Sequence, residues 1–332
     1  MGWIDLAAVA LALSATPLAA QEGKPEPVTP ASVVAASAAG EWAPIDPADV
    51  LVMDLAPDEK GSKRKVIVQL IPPPFSQGWV RNVRTLARAH WWDGTSVYRV
   101  VDNWVAQWGD GEDNQKKGKP LPPGISKVPE TDYTAPLPCK VYLFQKKVIK
   151  EQCDPAVIPL DGIDPYVMSG QAGFAAGWPV AYALQGEGNR IWPVHCYGTV
   201  GVARDLSPDT GTGAELYAVI GQPPRQLDRN IAVVGRVIEG IENLSTLPRG
   251  KGEAGVYDNP ALRVPVVSVR LASELPAAER PRFEYFASDS KSFADYAHVR
   301  ASRDDAFYKV PAGGVDVCNV QVPIRRVGGR RV

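Results

Sequence analysis

Histidine is scarce in this chain, three residues in 332, and the four cysteines stand at no CxxC spacing. Cys139, Cys153, Cys196 and Cys318 have no paired histidines beside them either, so the usual ligand sets of a zinc site are missing. No GxxxxGK[ST], HExxH or GxSxG occurs, which leaves P-loop, metalloprotease and serine-hydrolase chemistry without the residues they require. A net charge of −1 with both signs dispersed offers no basic surface for nucleic acid. The lysines at 116, 117, 119, 146, 147 and 150 are instead expected on solvated faces. The N-terminal apolar stretch "LAAVALALSATPLAA" is shorter than the ~20 residues that span a bilayer comfortably. It ends in small residues before Gln21, the outline of a secretory signal over residues 1–20, although Asp5 stands where a cation is usual.

Glycine and proline are abundant, 30 and 31 residues, which points to many turns and a β-rich fold. Residues 21–40, rich in Pro, Ala, Ser and Val, predict a disordered leader. Export places the four cysteines in an oxidising compartment, where an even number implies two disulfides with three possible pairings. Cys139 and Cys153 flank one strand-like, lysine-rich segment and are the favoured pair, leaving Cys196 to tie down the tail through Cys318. Four buried free thiols are the alternative. His195 and Cys196 are adjacent, and neighbours on a strand face opposite ways, so they do not form a nucleophile–base pair.

Along the chain, "VLVMDL" and "KVIVQLI" flank the polar "APDEKGSKR" and predict a hairpin. In "FSQGWVRNVRTLARAH", Trp79, Val80, Val83, Leu86 and Ala87 recur at helical spacing, with Ser76 as the N-cap and Arg81, Arg84 and Arg88 outward. "WWDGTSVYRVV" returns to strand after the Asp93–Gly94 turn. Residues 111–195 have weak periodicity and read as loops with short hairpins that decorate the domain. "CYGTVGVAR", "AELYAVIG", "IAVVGRV" and "LRVPVVSVRLA" read as strands, with a short helix over "EGIENLSTL". In the tail, Phe293, Tyr296 and Val299 recur at three-residue spacing and predict a helix.

The stretch "VYRVVDNWVAQWGD", residues 97–110, poses the functional question. Val97, Val101 and Val105 supply part of a strand's apolar face, but an Arg, two Trp and a Gln are costly additions to a purely structural strand. Either Arg99 is a surface charge, or Arg99, Trp104 and Gln107 project together into a site.

The ordered words "YRVV…QWGD", "GTVGVAR", "GAELY" and "LDRNIAVVGRVIEG", after a helix and a "WDGT" turn, resemble a cyclophilin-type peptidyl-prolyl cis-trans isomerase over roughly residues 66–248 plus a strand near 264–271. The resemblance implies a mainly β fold: a closed eight-stranded antiparallel β-barrel capped by two helices at 75–90 and 239–247, with substrate in an outer groove. The organisation then expected is a cyclophilin-like domain over 41–272, interrupted by an insertion at 111–195, with a C-terminal extension over 273–332 packed on it. By the same resemblance Arg99 is the catalytic arginine and Gln107 orders it. Trp104 floors the proline pocket with Tyr217 and Leu227, and Ala203 lines the groove. Several positions depart from the family pattern. Tyr98 replaces a His, Arg204 an Asn that bonds the peptide backbone, Glu215 a Gln, and Ile231 a His; Gln226 further stands where a Trp is common. Glu215 could hold Arg99 or over-neutralise it.

The activity implied needs no metal or cofactor, and the implied partners are proline-containing segments of exported polypeptides, in the periplasm. A cyclophilin-fold peptide-binding module or chaperone without useful turnover is the alternative, supported by the changes at 204, 215 and 231. Mass mapping of the purified, unreduced protein is expected to find no free thiol. Stoichiometric labelling of all four would remove both the disulfides and the oxidising compartment.

Overall fold

The computed structural model describes residues 28–112, 118–144, 147–160, 164–167, 170–183, 189–305 and 307–328. The signal segment at 1–20 and the lysines at 116, 117 and 146 lie outside the described residues, as do the side chains at 147 and 150. Eight strands close a barrel: β1 (Val50–Leu55), β2 (Arg64–Leu70), β3 (Ser96–Val100), β4 (Val105–Gly109), β5 (Thr199–Val202), β6 (Leu216–Val219), β7 (Val233–Glu239) and β8 (Val264–Leu271). Every pairing is antiparallel, in the order β5-β6-β4-β3-β8-β1-β2-β7. The expected hairpin is β1–β2, with Val50 opposite Gln69 and Leu55 opposite Arg64.

Why β1 lacks alternation follows from what covers it. Leu51, Met53 and Leu55 fill the barrel with Val66, Val68 and Leu70 of β2. Val50, Val52 and Ile67 face outward, yet they too are buried, against Ile45, Ala272 and Phe283. A strand covered on both sides reads as a continuous apolar run. The barrel interior is therefore packed solid, and it is continuous with the buried face of α1 (Gln77–Arg88): Trp79, Val80, Val83, Leu86 and Ala87. Ser76 does not cap that helix. It sits in the left-handed region at φ 50° without a side-chain cap bond, while Gln77 Nε2 turns back onto Ile71 O and Phe75 O at 3.1 and 2.7 Å. The helix expected at 239–247 is shorter, Glu242–Ser245.

Residues 111–195 hold more than loops and short hairpins. Ala135–Pro136, Arg190–Pro193, Trp178–Ala183, Gly170–Ala175 and Ile158–Pro159 pair, in that order, into a five-stranded antiparallel sheet. Its apolar residues Phe174 and Trp192 form a second core with Trp42, Phe286, Phe293 and Tyr296. The leader also departs from expectation, since residues 30–36 form a helix, with Thr29 accepting Ser32 N–H, that packs on the tail helix. The helix foreseen in the tail is Lys291–Ala301, and its buried face runs through Phe293, Tyr296, Ala297 and Ala301, with Val299 half-exposed. Trp42–Pro44, Phe283–Phe286 and Ile324–Arg326 complete this side as a three-stranded sheet. Weak periodicity misled here because each segment is short and finds its apolar partners far along the chain.

Both favoured disulfides are present, Cys139–Cys153 and Cys196–Cys318. Near the second lies a buried ionic cluster. Arg225 donates to Asp228 at 2.5 Å, to Asp164 of the insertion at 2.7 Å and to Asp316 of the tail at 3.1 Å. The Arg225 side chain is 1% exposed, so removing it leaves carboxylates desolvated with no cation. Arg225→Ala is expected to lower stability by ~3–5 kcal/mol in urea unfolding; a loss below ~1 kcal/mol would show that the aspartates find other compensation.

Candidate functional site

With the barrel interior filled, ligand chemistry falls to the outer surface, and the 97–110 stretch is placed there by a bulge. In β3 the register with β4 shifts between Val97 and Arg99, so that Val97 opposes Trp108 and Arg99 opposes Gln107. Val97 and Val100 point into the core, while Tyr98 and Arg99 both reach Gln107 on the outer face. The extra residue of a bulge re-aims a side chain in this way. Val101 and Val105 do not continue the core face: they belong to an outer cluster with Tyr217, Val219, Trp104, Ala203, Leu227 and Ile231.

Arg99 is held from two sides. Its Nε donates to Ala254 O at 2.6 Å and its Nη1 to Gln107 Oε1 at 2.9 Å, with the guanidinium carbon 5.4 Å from the Trp104 ring centre. No carboxylate among the described residues pairs with it, and partial burial lowers its pKa from the usual arginine value. Gln107 Nε2 in turn donates to the Tyr98 hydroxyl. Arg99, Gln107, Trp104, Tyr217, Leu227 and Ala203 are thus brought to one place, as the motif order implied.

Two expected site residues behave otherwise. Arg204 turns its guanidinium onto backbone, Nε and Nη2 on Asn230 O at 3.0 and 2.9 Å and Nη1 on Asp205 O at 2.7 Å. It braces the loop that carries Asn230. Glu215 neither holds nor neutralises Arg99. Its Oε1 accepts Asp110 N–H at 2.8 Å, while its Oε2 is buried without a hydrogen-bond partner among the described residues. Burial raises the Glu215 pKa, against the pull of the nearby Tyr98 hydroxyl and of the Asp110 backbone N–H. Burial, then the Glu215 charge, raises that of Tyr98.

The pocket wall has a buried polar support that sequence reasoning missed. The Tyr217 hydroxyl lies 3.0 Å from His195 Nε2, and His195 Nδ1 lies 3.0 Å from Asp228 Oδ1, which joins the Arg225 cluster. Burial pushes the Tyr217 phenol pKa up. Gly201 leaves the space this ring occupies, since a Cβ there would stand 2.3 Å from Tyr217 Oη. The signal available in the sequence was the phenol itself: a buried tyrosine needs a partner for its hydroxyl.

The chain from 78 to 271, more than half its length, matches the family described as cyclophilin type peptidyl-prolyl cis-trans isomerase/CLD. Among solved structures, it is similar to the cyclophilin AquaCyp293 from Hirschia baltica, with 23% identity, a TM-score of 0.62, and coverage of 90% of this chain and 97% of that one. A cyclophilin-type peptidyl-prolyl cis-trans isomerase from Cryptosporidium parvum aligns with 11% identity and a TM-score of 0.34, over 67% of this chain and 96% of that one. No curated protein matches the chain.

Gly201→Ala is expected to drive the Tyr217 ring off His195 and to cost ~1–3 kcal/mol, as overpacking does in a closed wall. Thermal melting against wild type checks this, and an unchanged midpoint would mean that the ring has other room.

Proposed function

The chain belongs to the cyclophilin-type peptidyl-prolyl cis-trans isomerase family, and from that premise we propose that its outer apolar cluster grips a prolyl ring while Arg99 stabilises the twisted amide before it. The enzyme interconverts the cis and trans forms of X–Pro bonds, a rotation opposed by amide resonance with a barrier of ~18–20 kcal/mol. No bond is broken, so neither a nucleophile nor a metal is needed. Stabilisation has to favour the state in which resonance is lost, when the prolyl nitrogen becomes a better acceptor and the carbonyl turns out of plane.

The observation that carries this reading is the pairing of a guanidinium without a carboxylate partner among the described residues and an apolar cluster separate from the barrel core. Ala254 O and Gln107 Oε1 fix the Arg99 fork, so Nη2 is left without a protein acceptor among the described residues. A charge-assisted donor held in place costs little reorganisation as the amide twists. Trp104, Val105, Tyr217 and Leu227 would enclose the ring while the preceding residue rotates. Lowering the barrier by ~5–7 kcal/mol corresponds to a rate gain of about 10⁴–10⁵.

The substrates in this reading are proline-containing segments of exported polypeptides, and the compartment is the periplasm. Two disulfides suit an oxidising space. Among the described residues, no helix is long and apolar enough to cross a membrane. The small-residue N-terminal pattern supports export as well.

Arg99→Ala is expected to cut turnover of a short X–Pro peptide by ~10²–10³ while shifting stability by less than ~1 kcal/mol. Arg99→Lys should restore little of it, because an ammonium lacks the planar fork that Ala254 and Gln107 hold. Turnover and melting are measured on the same preparations. Wild-type turnover in Arg99→Ala would reduce Arg99 to a surface charge and favour a peptide-binding role.

A further inference from the structure

Helix α1 starts with its backbone donors unused. No described residue accepts the N–H of Gln77, Gly78 or Trp79, and the first turn carries no acidic side chain. Such an end gathers partial positive charge on groups that lack an acceptor. It opens on a cavity of about 380 Å³, within the ~300–1,000 Å³ of small-molecule sites. Ser76, Gln77, Gly78 and Arg81 line the cavity from the helix side, Lys127 and Asp132 from the insertion.

The walls of this cavity are fixed. Asn82 accepts the Ser126 N–H through Oδ1 at 3.0 Å and donates through Nδ2 to Ser126 O at 2.8 Å, clamping the insertion onto the helix. Thr210 Oγ1 donates to Val128 O at 2.7 Å. The approach is close enough to require Gly78, where a Cβ would stand 2.7 Å from the Val128 methyls. The polar side chains of the lining are by contrast uncommitted. Ser76 is only 4% exposed, yet its hydroxyl bonds to no described residue. A buried hydroxyl ordinarily has a partner, so one that lines a cavity marks a place for a ligand's acceptor. Arg81 and Lys127 are exposed, and neither side chain pairs with a described residue. Against these two cations the lining sets one carboxylate, Asp132, so the cavity keeps a positive excess.

We propose that this cavity is a binding site for the phosphate group of a small molecule. The Gln77 and Gly78 N–H groups and the Ser76 hydroxyl serve its oxygens at the helix start, while Arg81 and Lys127 balance its charge. A dianion with several acceptor oxygens suits this set better than a carboxylate, because donors come from the helix and from the insertion at once. Free phosphate and a phosphate monoester share that chemistry. The site has no residue in common with Arg99, Gln107 or the apolar cluster, so it stands independently of the isomerase reading.

The test is isothermal titration of the full chain at neutral pH and low salt, with inorganic phosphate, with glycerol phosphate and with acetate, and melting of each variant without ligand. Saturable binding of a phosphate at one site is expected, with acetate about tenfold weaker or worse. Tighter binding of glycerol phosphate would point to an organic phosphate as the occupant, and equal affinities to the phosphate group alone. Arg81→Gln and Lys127→Gln should each weaken binding about tenfold, the loss of one charge-assisted contact. Ser76→Gly, which suits the left-handed backbone there, should weaken it about fivefold. Asp132→Asn should tighten it about two- to threefold by removing a like charge. Absence of saturable heat from both phosphates would overturn the proposal, and so would acetate binding as tightly as phosphate. Wild-type affinity in both Arg81→Gln and Lys127→Gln would do the same, since these exposed side chains can be replaced without disturbing the fold. If Ser76→Gly does not fold, the Arg81, Lys127 and Asp132 variants decide alone.

Discussion

A barrel filled with side chains has no interior to offer a ligand. Leu51, Met53, Val66, Val97, Val100, Ala106 and Val266 close the space between the strands, and α1 seals one end with Trp79 and Leu86. Every function of the domain must therefore be built on its outer wall. The wall is used twice: one side is covered by the insertion, leader and tail, and another keeps a small apolar cluster beside Arg99.

The register shift in β3 makes the second use possible. A regular strand would send Tyr98 and Arg99 to opposite faces, and one of the two polar groups would enter the core. The bulge between Val97 and Arg99 lets both stand outside while Val97 and Val100 remain within. The same logic of space governs Gly109, Gly111 and Gly201, where a Cβ would meet Glu215, Tyr98 and Tyr217.

Three arginines show how local partners decide what a cation can do. Arg225 is surrounded by Asp228, Asp164 and Asp316 and serves to join barrel, insertion and tail. Arg236 lies over the Trp178 ring at 4.2 Å and donates to Gln69 Oε1 and Gly177 O, with burial lowering its pKa. Arg99 has two neutral oxygen acceptors and lies over the Trp104 ring, 5.4 Å from its centre. Its charge is oriented by these oxygens and paired with no carboxylate among the described residues.

The sequence alone determined the family and the barrel, because those rest on local words in a fixed order: "YRVV", "QWGD", "GVAR", "ELY" and "LD". It also pointed to both disulfides. What it left open was how polar groups pair across the chain. Whether Glu215 faced Arg99 or the turn after β4 depended on a bulge and two glycines that periodicity does not reveal. That residues 111–195 and the tail share one core depended on Phe174, Trp192 and Phe293 meeting from segments over a hundred residues apart. His195 was legible only as a neighbour of Cys196, and its place behind Tyr217 came from the strand pairing of the folded chain. Local words are written along the backbone, but hydrogen-bond direction and core membership are set by which segments tertiary packing brings together.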